Sequence, residues 1–378
     1  MRKIKKAVPI IFALSVAMAS PLTLTSQTVL AKEGNDKKME KSSVIPLDKA
    51  KSAVLKYVET VAENSHENWK DAELEDTSDL YDFDGNLTAY LFPVTANGEE
   101  SGYVIYGVNE GNDGILESTR EGEHPYSGVD ESERIYVGPL MHYKKIDSGE
   151  FEDLHSKQLI QEEDLQSEGP LSQNAINKGL TIDEEELVSP MSSPVNYSYK
   201  LIRSVPDYDW YIGCTPTSAA NIISYFDDNG YSKLVNNNTS TKSLISTLAS
   251  KDYMRTGLCK GCSKDATSWD DTLDGIEAYW NDKGYKDVSV KGHTSSSRFS
   301  KHQSAMDDER PDIIWLGGHP TYGNHAVTGV GYEEYQDADD DLRYYRSVII
   351  HDTWSNTPKD CWVKWDSSTF TGVITVTP

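Results

Sequence analysis

The chain has 378 residues, with 61 acidic and 36 basic side chains and a formal net charge of −25 at pH 7. This length is sufficient for two domains with cores of their own. A hydrophobic content of 37% is too high for a wholly disordered chain. The acidic balance argues against nucleic acid and anionic lipid as partners, because both attract basic surfaces. Four cysteines are too few for a scaffold held together by disulfides.

The N-terminus has the pattern of a secretory signal. A basic start (Arg2 to Lys6) precedes an apolar run over residues 7–19, and small side chains follow at Val29 and Ala31. The alternative is a membrane anchor, but the apolar run is shorter than the ~20 residues that span a bilayer. We therefore expect residues 1–31 to be a signal peptide cut after Ala31, and the mature protein to be secreted and free of the membrane.

The rest of the chain divides near Pro194. Residues 47–61 carry apolar side chains at helical spacing, and residues 80–108 alternate as strands separated by turns at 84–86 and 96–98. These patterns predict an acidic α+β domain over residues 32–146. Periodicity then weakens, and residues 147–193 read as an acidic linker with a processing site. Seven of the eight tryptophans follow Pro194, so residues 194–378 are predicted to be the better-packed domain.

Cys214 stands at the start of a predicted helix. Ala219, Ile222, Ile223 and Phe226 recur at the spacing of one helix face, and Asn229-Gly230 ends the pattern. A helix N-terminus favours a thiolate and offers unpaired N–H groups to an oxyanion. These features suit a nucleophile, although a buried structural cysteine is the alternative.

Two further segments supply partners for that cysteine. His325 begins an alternating strand flanked by glycines, and Asp352 ends the apolar strand of residues 346–352. A carboxylate at Asp352 could accept a hydrogen bond from the imidazole and stabilise the imidazolium. The alternatives are a buried, satisfied histidine and an aspartate that caps a turn.

These three segments resemble a papain-like cysteine peptidase of the bacteriocin-processing type, peptidase family 39, over residues 195–378. The resemblance lies in Gly213 to Ser218, Asn324 to Tyr332, and His351 to Trp354, in the chain order Cys, His, Asp. It implies a Cys214–His325–Asp352 triad, with Trp354 shielding the His325–Asp352 bond. It also implies an α+β fold in which the helix carrying Cys214 packs on an antiparallel sheet carrying His325. We expect a monomer that acts on a protein or peptide and needs no cofactor.

Residues 47–108 resemble the propeptides of secreted streptopain-type zymogens, through LYDFDGNLTAYLFPV and GYVIYGV. This similarity implies a prodomain that keeps the peptidase latent until the chain is cut, within residues 185–200. The chain departs from the family pattern six residues before Cys214, where Tyr208 replaces the usual glutamine of the oxyanion hole. The Tyr208 hydroxyl could donate in its place, whereas losing a donor typically costs on the order of 10²–10³ in rate.

The remaining cysteines and histidines allow several interpretations. Cys259 and Cys262 could form a disulfide with each other, or one of them could pair with Cys361; zinc bound with Cys361 and His293 or His302, or free thiols, are the alternatives. A metal cluster could be formed by His319, His325, His351 and Asp352. His351 and Asp352 are neighbours on a strand, however, so their side chains should point to opposite faces and not to one metal ion. Our prediction contains no metal.

The sequence is also compatible with two other functions. The same triad could transfer acyl groups, as in a transpeptidase or amidase acting on cell-wall peptides. The domain could also be a degenerate binding module without catalysis. The first would incorporate added amines into product, and the second would show no enhanced reactivity of Cys214.

Overall fold

The computed structural model describes residues 44–109, 111–161, 193–258, 264–319, 323–340 and 342–378. The predicted signal peptide and most of the predicted linker lie outside these residues, as do Cys259 and Cys262. Within the described ranges, no helix combines the length and apolar character needed to cross a membrane.

Five α-helices and sixteen strands lie in the described part of the chain. The helices are α1 (Leu47–Asn64), α2 (Cys214–Asp228), α3 (Thr241–Ala249), α4 (Trp269–Asp282) and α5 (Arg298–Asp307). The first nine strands are β1 (Glu73–Leu74), β2 (Ser78–Tyr81), β3 (Leu87–Ala96), β4 (Glu99–Gly107), β5 (Gly114–Thr119), β6 (Arg134–Tyr136), β7 (His142–Asp147), β8 (Glu150–Asp153) and β9 (Leu159–Gln161). The others are β10 (Pro194–Leu201), β11 (Ser289–His293), β12 (Asp312–His319), β13 (Gly323–Asp337), β14 (Tyr344–His351), β15 (Cys361–Lys364) and β16 (Phe370–Thr377).

The N-terminal segment, residues 44–161, contains the predicted helix and strands. Helix α1 buries one apolar face that includes Val54, Tyr57 and Val61, and the two predicted turns connect β2 to β3 and β3 to β4. Strands β8 and β9 lie inside the stretch that the sequence predicts as linker. Strand β8 forms because it pairs with β7 and buries Phe151. A strand of four residues is too short for a periodic pattern to predict it from the sequence.

The C-terminal part packs helix α2 against the long strand β13. Ser218 donates to the main-chain oxygen of Ala326 (3.2 Å), and the Asn221 amide donates to Thr328 Oγ1 (3.0 Å). Strand β13 lies between β12 and β14, and β10 pairs with its second half. The α+β class is thus observed, in an arrangement compatible with a papain-like fold.

One sheet runs through both parts. Its strand order is β11-β16-β12-β13-β14-β15-β5-β4-β3-β2-β6-β7-β8-β9, with every pair antiparallel except β2 with β6. The described residues from 44 onward belong to one compact unit. The two regions expected from the sequence therefore meet through main-chain pairing between β15 and β5.

Candidate active site

Cys214 is the first residue of helix α2 and is partly exposed. Pro216 occupies the first turn, where its missing N–H costs no intrahelical hydrogen bond. Gly213 precedes the thiol in an extended conformation, and a Cβ there would lie 2.5 Å from the main-chain oxygen of Asp265. Only glycine fits at that distance, so local packing fixes the backbone just before the thiol.

His325 lies on β13 and contacts the Cys214 thiol. Burial alone would raise the pKa of Cys214, but the positive charge of His325, its hydrogen bond and the N–H of Ala326 outweigh burial and lower that pKa. Burial would lower the pKa of His325, but the negative charge of Cys214 and their hydrogen bond raise it. Opposite shifts in two contacting groups favour a thiolate–imidazolium pair.

The second ring nitrogen of His325 faces the main chain of Asp352. Nε2 donates to the Asp352 main-chain oxygen at 3.2 Å. The carboxylate of Asp352 turns elsewhere: Oδ1 accepts from the N–H of Trp354 (2.9 Å) and from Thr357 Oγ1 (2.7 Å). The imidazole is therefore oriented by a carbonyl, where the sequence predicted a carboxylate.

The Asp352 carboxyl group is buried and incompletely hydrogen-bonded. The residue is 2% exposed, and Oδ2 has no hydrogen-bond partner among the described residues. Burial raises the pKa of Asp352 to about 6, against the opposing hydrogen bonds from Trp354 and Thr357. This carboxyl group consequently exchanges its proton in mildly acidic solution.

Strained backbone stands on both sides of the site. Thr353, directly after Asp352, has φ of +72°, and Ile212, two residues before Cys214, has φ of +69°. Both are β-branched residues in the left-handed region, a conformation that costs of order 1–3 kcal/mol and concentrates at functional sites. At Thr353 the turn directs its own carbonyl to the N–H of Trp210 (2.7 Å).

The ring of Trp354 stacks on His325. The ring centroids are 5.6 Å apart with an interplanar angle of 12°. His155, from the N-terminal segment, also stacks on Trp354 at 5.9 Å. Trp354 therefore lies between the rings of two histidines, and the sequence did not indicate the second of them, His155.

Tyr208 lies in the segment that leads to Cys214. Its main-chain N–H donates to Asn221 Oδ1 on α2 (3.0 Å), and its ring packs against the C-terminal core. In the same segment, Tyr211 N–H donates to Thr217 Oγ1 (3.2 Å). The sequence did not indicate Asn221, although an asparagine on the inner face of an apolar helix is a usable signal.

A carboxyl group beside Tyr208 is also perturbed. Burial raises the pKa of Asp207 to about 7; His351 opposes this shift, and the negative charge of Asp352 adds to it. His351 itself donates from Nδ1 to the Pro206 main-chain oxygen (2.9 Å), and its Nε2 lies 2.9 Å from Asp360. These contacts tie the segment before Cys214 to the end of β14.

The candidate zinc ligands among the described residues are His293, His302 and Cys361. His302 Nδ1 lies 3.0 Å from the Asp312 carboxylate, and its Nε2 donates to the Gly331 main-chain oxygen. Nε2 of His293 lies 2.9 Å from Thr375 Oγ1. Cys361 is a buried thiol outside any disulfide, and burial raises its pKa. Across the described ranges, no three His, Cys, Asp or Glu side chains are grouped so as to hold a metal ion.

Comparison with known families bears on the region that holds this site. Residues 198–373 match the model of the Peptidase_C39 like family. This match supports a C39-like cysteine peptidase. It begins in β10, ends in β16 and contains Cys214, His325 and Asp352. Residues 44–161 lie outside it, and no curated protein matches the chain.

Proposed function

We propose that the protein is a secreted cysteine endopeptidase that works through Cys214, His325 and Asp352. The observation that carries this proposal is the contact between Cys214, at a helix N-terminus, and His325, with a lowered pKa at the thiol and a raised pKa at the imidazole. The thiolate form of a cysteine is a much better nucleophile than the neutral thiol. The family match over the same residues supports the same chemistry.

In this mechanism the Cys214 thiolate attacks the peptide carbonyl carbon and forms a C–S bond. The His325 imidazolium gives its proton to the leaving nitrogen as the C–N bond breaks. His325 then takes a proton from water, and the hydroxide attacks the thioester. The C–S bond breaks and the carboxylic acid product leaves, so that Cys214 is again a thiolate beside the His325 imidazolium.

Asp352 orients His325 in this proposal through its main-chain carbonyl. A carbonyl accepts only, so it fixes the proton on Nε2 and leaves Nδ1 facing the thiol. The carboxylate holds the turn that aims the carbonyl, through the Trp354 N–H and Thr357. Trp354 covers the ring and keeps water from the contact.

The oxyanion would be held by the main-chain N–H of Cys214 and by the Tyr208 hydroxyl. The main chain of Tyr208 is anchored to α2 through Asn221, so the residue is held beside the helix that carries the nucleophile. Tyr208→Phe removes only the hydroxyl. A loss on the order of 10²–10³ in kcat is expected if that group donates to the oxyanion.

The test of the peptidase uses a quenched peptide library and intact-mass analysis of its products. Cys214→Ala should abolish cleavage, with Cys361→Ala as the control that removes a buried thiol. Unchanged turnover in Cys214→Ala would refute the proposed nucleophile. Addition of an amine nucleophile separates hydrolysis from transpeptidation, because only the latter puts the amine into product.

We propose further that the chain is exported with residues 1–31 as signal and matured in the linker. Until that cut, the N-terminal segment acts as a prodomain that keeps the peptidase latent. Residues 194–200 of the predicted window lie in β10, paired with β13, so the cut is expected before Pro194. Intact mass of secreted wild type and Cys214→Ala over time tests this, since self-processing stops in the variant.

A further inference from the structure

The N-terminal segment and the C-terminal part share a continuous sheet. Strand β5 pairs with β15 in the register Thr119 with Cys361, Ser118 with Trp362, and Glu117 with Val363. All six residues are buried. Main-chain hydrogen bonds therefore cross between the segments where water does not compete for them.

A buried ion pair crosses the same boundary. Arg120, directly after β5, lies 3.1 Å from Glu333 on β13, and the two side chains are 4% and 0% exposed. Tyr57 on α1 donates to Glu333 (2.8 Å) and accepts from Arg120 (2.7 Å). Tyr197 on β10 donates to the second carboxylate oxygen of Glu333 (2.6 Å). Both charges thus depend on partners from the other segment.

Contacts of aromatic rings extend this boundary between the two segments. The arginine head of Arg120 lies over the ring of Trp362, 4.2 Å from its centroid. Tyr57 packs with Tyr335, and Tyr335 and Tyr345 belong to the same core cluster as helix α1. This cluster is a single core built from both segments, as in an obligate interface rather than a transient one.

The N-terminal segment also supports the loop that carries Asp352. Asn356 donates to the main-chain oxygen of Leu154 (2.8 Å), and His155 stacks on Trp354. His155 bonds in turn to His142, whose Nε2 lies 3.1 Å from the buried Glu117. The wall of the candidate active site therefore has part of its support outside the family match.

We propose that residues 44–161 remain bound after the linker is cut, as the second chain of a two-chain protein. Maturation then changes the connection between the segments but does not release the N-terminal one. The cut itself rests on the proposed function, whereas the binding does not. The bound partner is a segment of this chain, recognised by the β5–β15 pairing and by Arg120 with Glu333.

The experiment uses the full chain with Cys214→Ala, so that catalysis plays no part. A recognition sequence for a site-specific protease is inserted between residues 165 and 185 and then cut. We expect the two fragments to co-elute in size-exclusion chromatography and to give the mass of the whole chain in native mass spectrometry. Fragments that separate in non-denaturing buffer would overturn the proposal, and a failure of the peptidase assay would leave it standing.

A substitution pair tests whether the ion pair holds the cut chains together. Arg120→Met leaves Glu333 buried without its cation, and this kind of loss is strongly destabilising. The control is Arg134→Met, because Arg134 bonds to Ser78 and Val129 within the N-terminal segment. We expect the cut Arg120→Met chains to dissociate at a lower urea concentration than those of wild type and the control. Equal midpoints would show that the pair does not bind the chains.

Discussion

The carboxyl group of Asp352 should make the protein less stable as the pH rises, and Asp352→Asn should remove that effect. Asparagine has nearly the same shape and keeps the oxygen that accepts from Trp354 and Thr357. It lacks the charge and the titration. The two proteins should therefore differ in how their free energies of unfolding depend on pH.

The size of the effect follows from the raised pKa. Asp352 ionises at about 6 in the folded protein, against an ordinary value of 3.8, so the folded state holds the proton more tightly than the unfolded chain does. Well below pH 3.8 the carboxyl group is protonated in the folded and in the unfolded protein, so it adds no pH dependence to the free energy of unfolding. Stability then falls as the pH rises through 6, by about 3 kcal/mol in all and by about 2 kcal/mol between about pH 4.5 and pH 8.

The assay is urea denaturation of wild type and Asp352→Asn at a series of pH values. We expect the variant to gain about 2 kcal/mol relative to wild type between about pH 4.5 and pH 8. Any constant cost of the new amide cancels in this comparison. If the difference in free energy of unfolding between the two proteins does not change with pH, the carboxyl group does not hold a proton more tightly in the folded state. If the variant gains stability relative to wild type as the pH falls, the pKa of Asp352 is lowered by folding and the prediction is wrong.

Three other outcomes are expected. The rate of Cys214 alkylation by iodoacetamide should fall on acidification at a pH below the ordinary thiol pKa of about 8.5, and His325→Ala should move that inflection upward; an unmoved inflection would contradict the ion pair. His155→Ala should slow this alkylation about 3- to 10-fold by removing the ring stacked on Trp354, while His124→Ala, which loses only a bond to the Tyr126 N–H, should not. Thr353→Gly should raise the free energy of unfolding by about 1 kcal/mol because glycine adopts positive φ without strain; a urea midpoint no higher than that of wild type would contradict this.

The parts of the site that depend on nearby residues could be predicted from the sequence. Helix α2 follows from apolar spacing within fifteen residues, so its start at Cys214 and its end at Asp228, just before Asn229, were predictable. His325 on a strand and Asp352 directly after one were predictable for the same reason. Periodicity reports which face of an element is buried, and both strands bury at least one face.

The contacts that join distant residues could not be predicted. Strands β5 and β15 are short, and the residues that pair are more than two hundred positions apart, so no local pattern identifies them. The carbonyl of Asp352 faces His325 because Thr353 turns the chain in a conformation that a threonine seldom adopts. A sequence predicts which residue follows a strand, but the atom that it presents is decided by that turn.

The position of β15 has a consequence for any shortened form of the protein. This four-residue strand is hydrogen-bonded on both sides, by β14 and by β5. A chain that began at residue 193 would leave one side of β15 open, with Trp362 and Val363 beside unpaired N–H and C=O groups. Such an outer strand is a template for pairing between molecules. Recombinant production of the catalytic part alone is therefore expected to give aggregates, and co-expression of residues 44–161 should restore solubility.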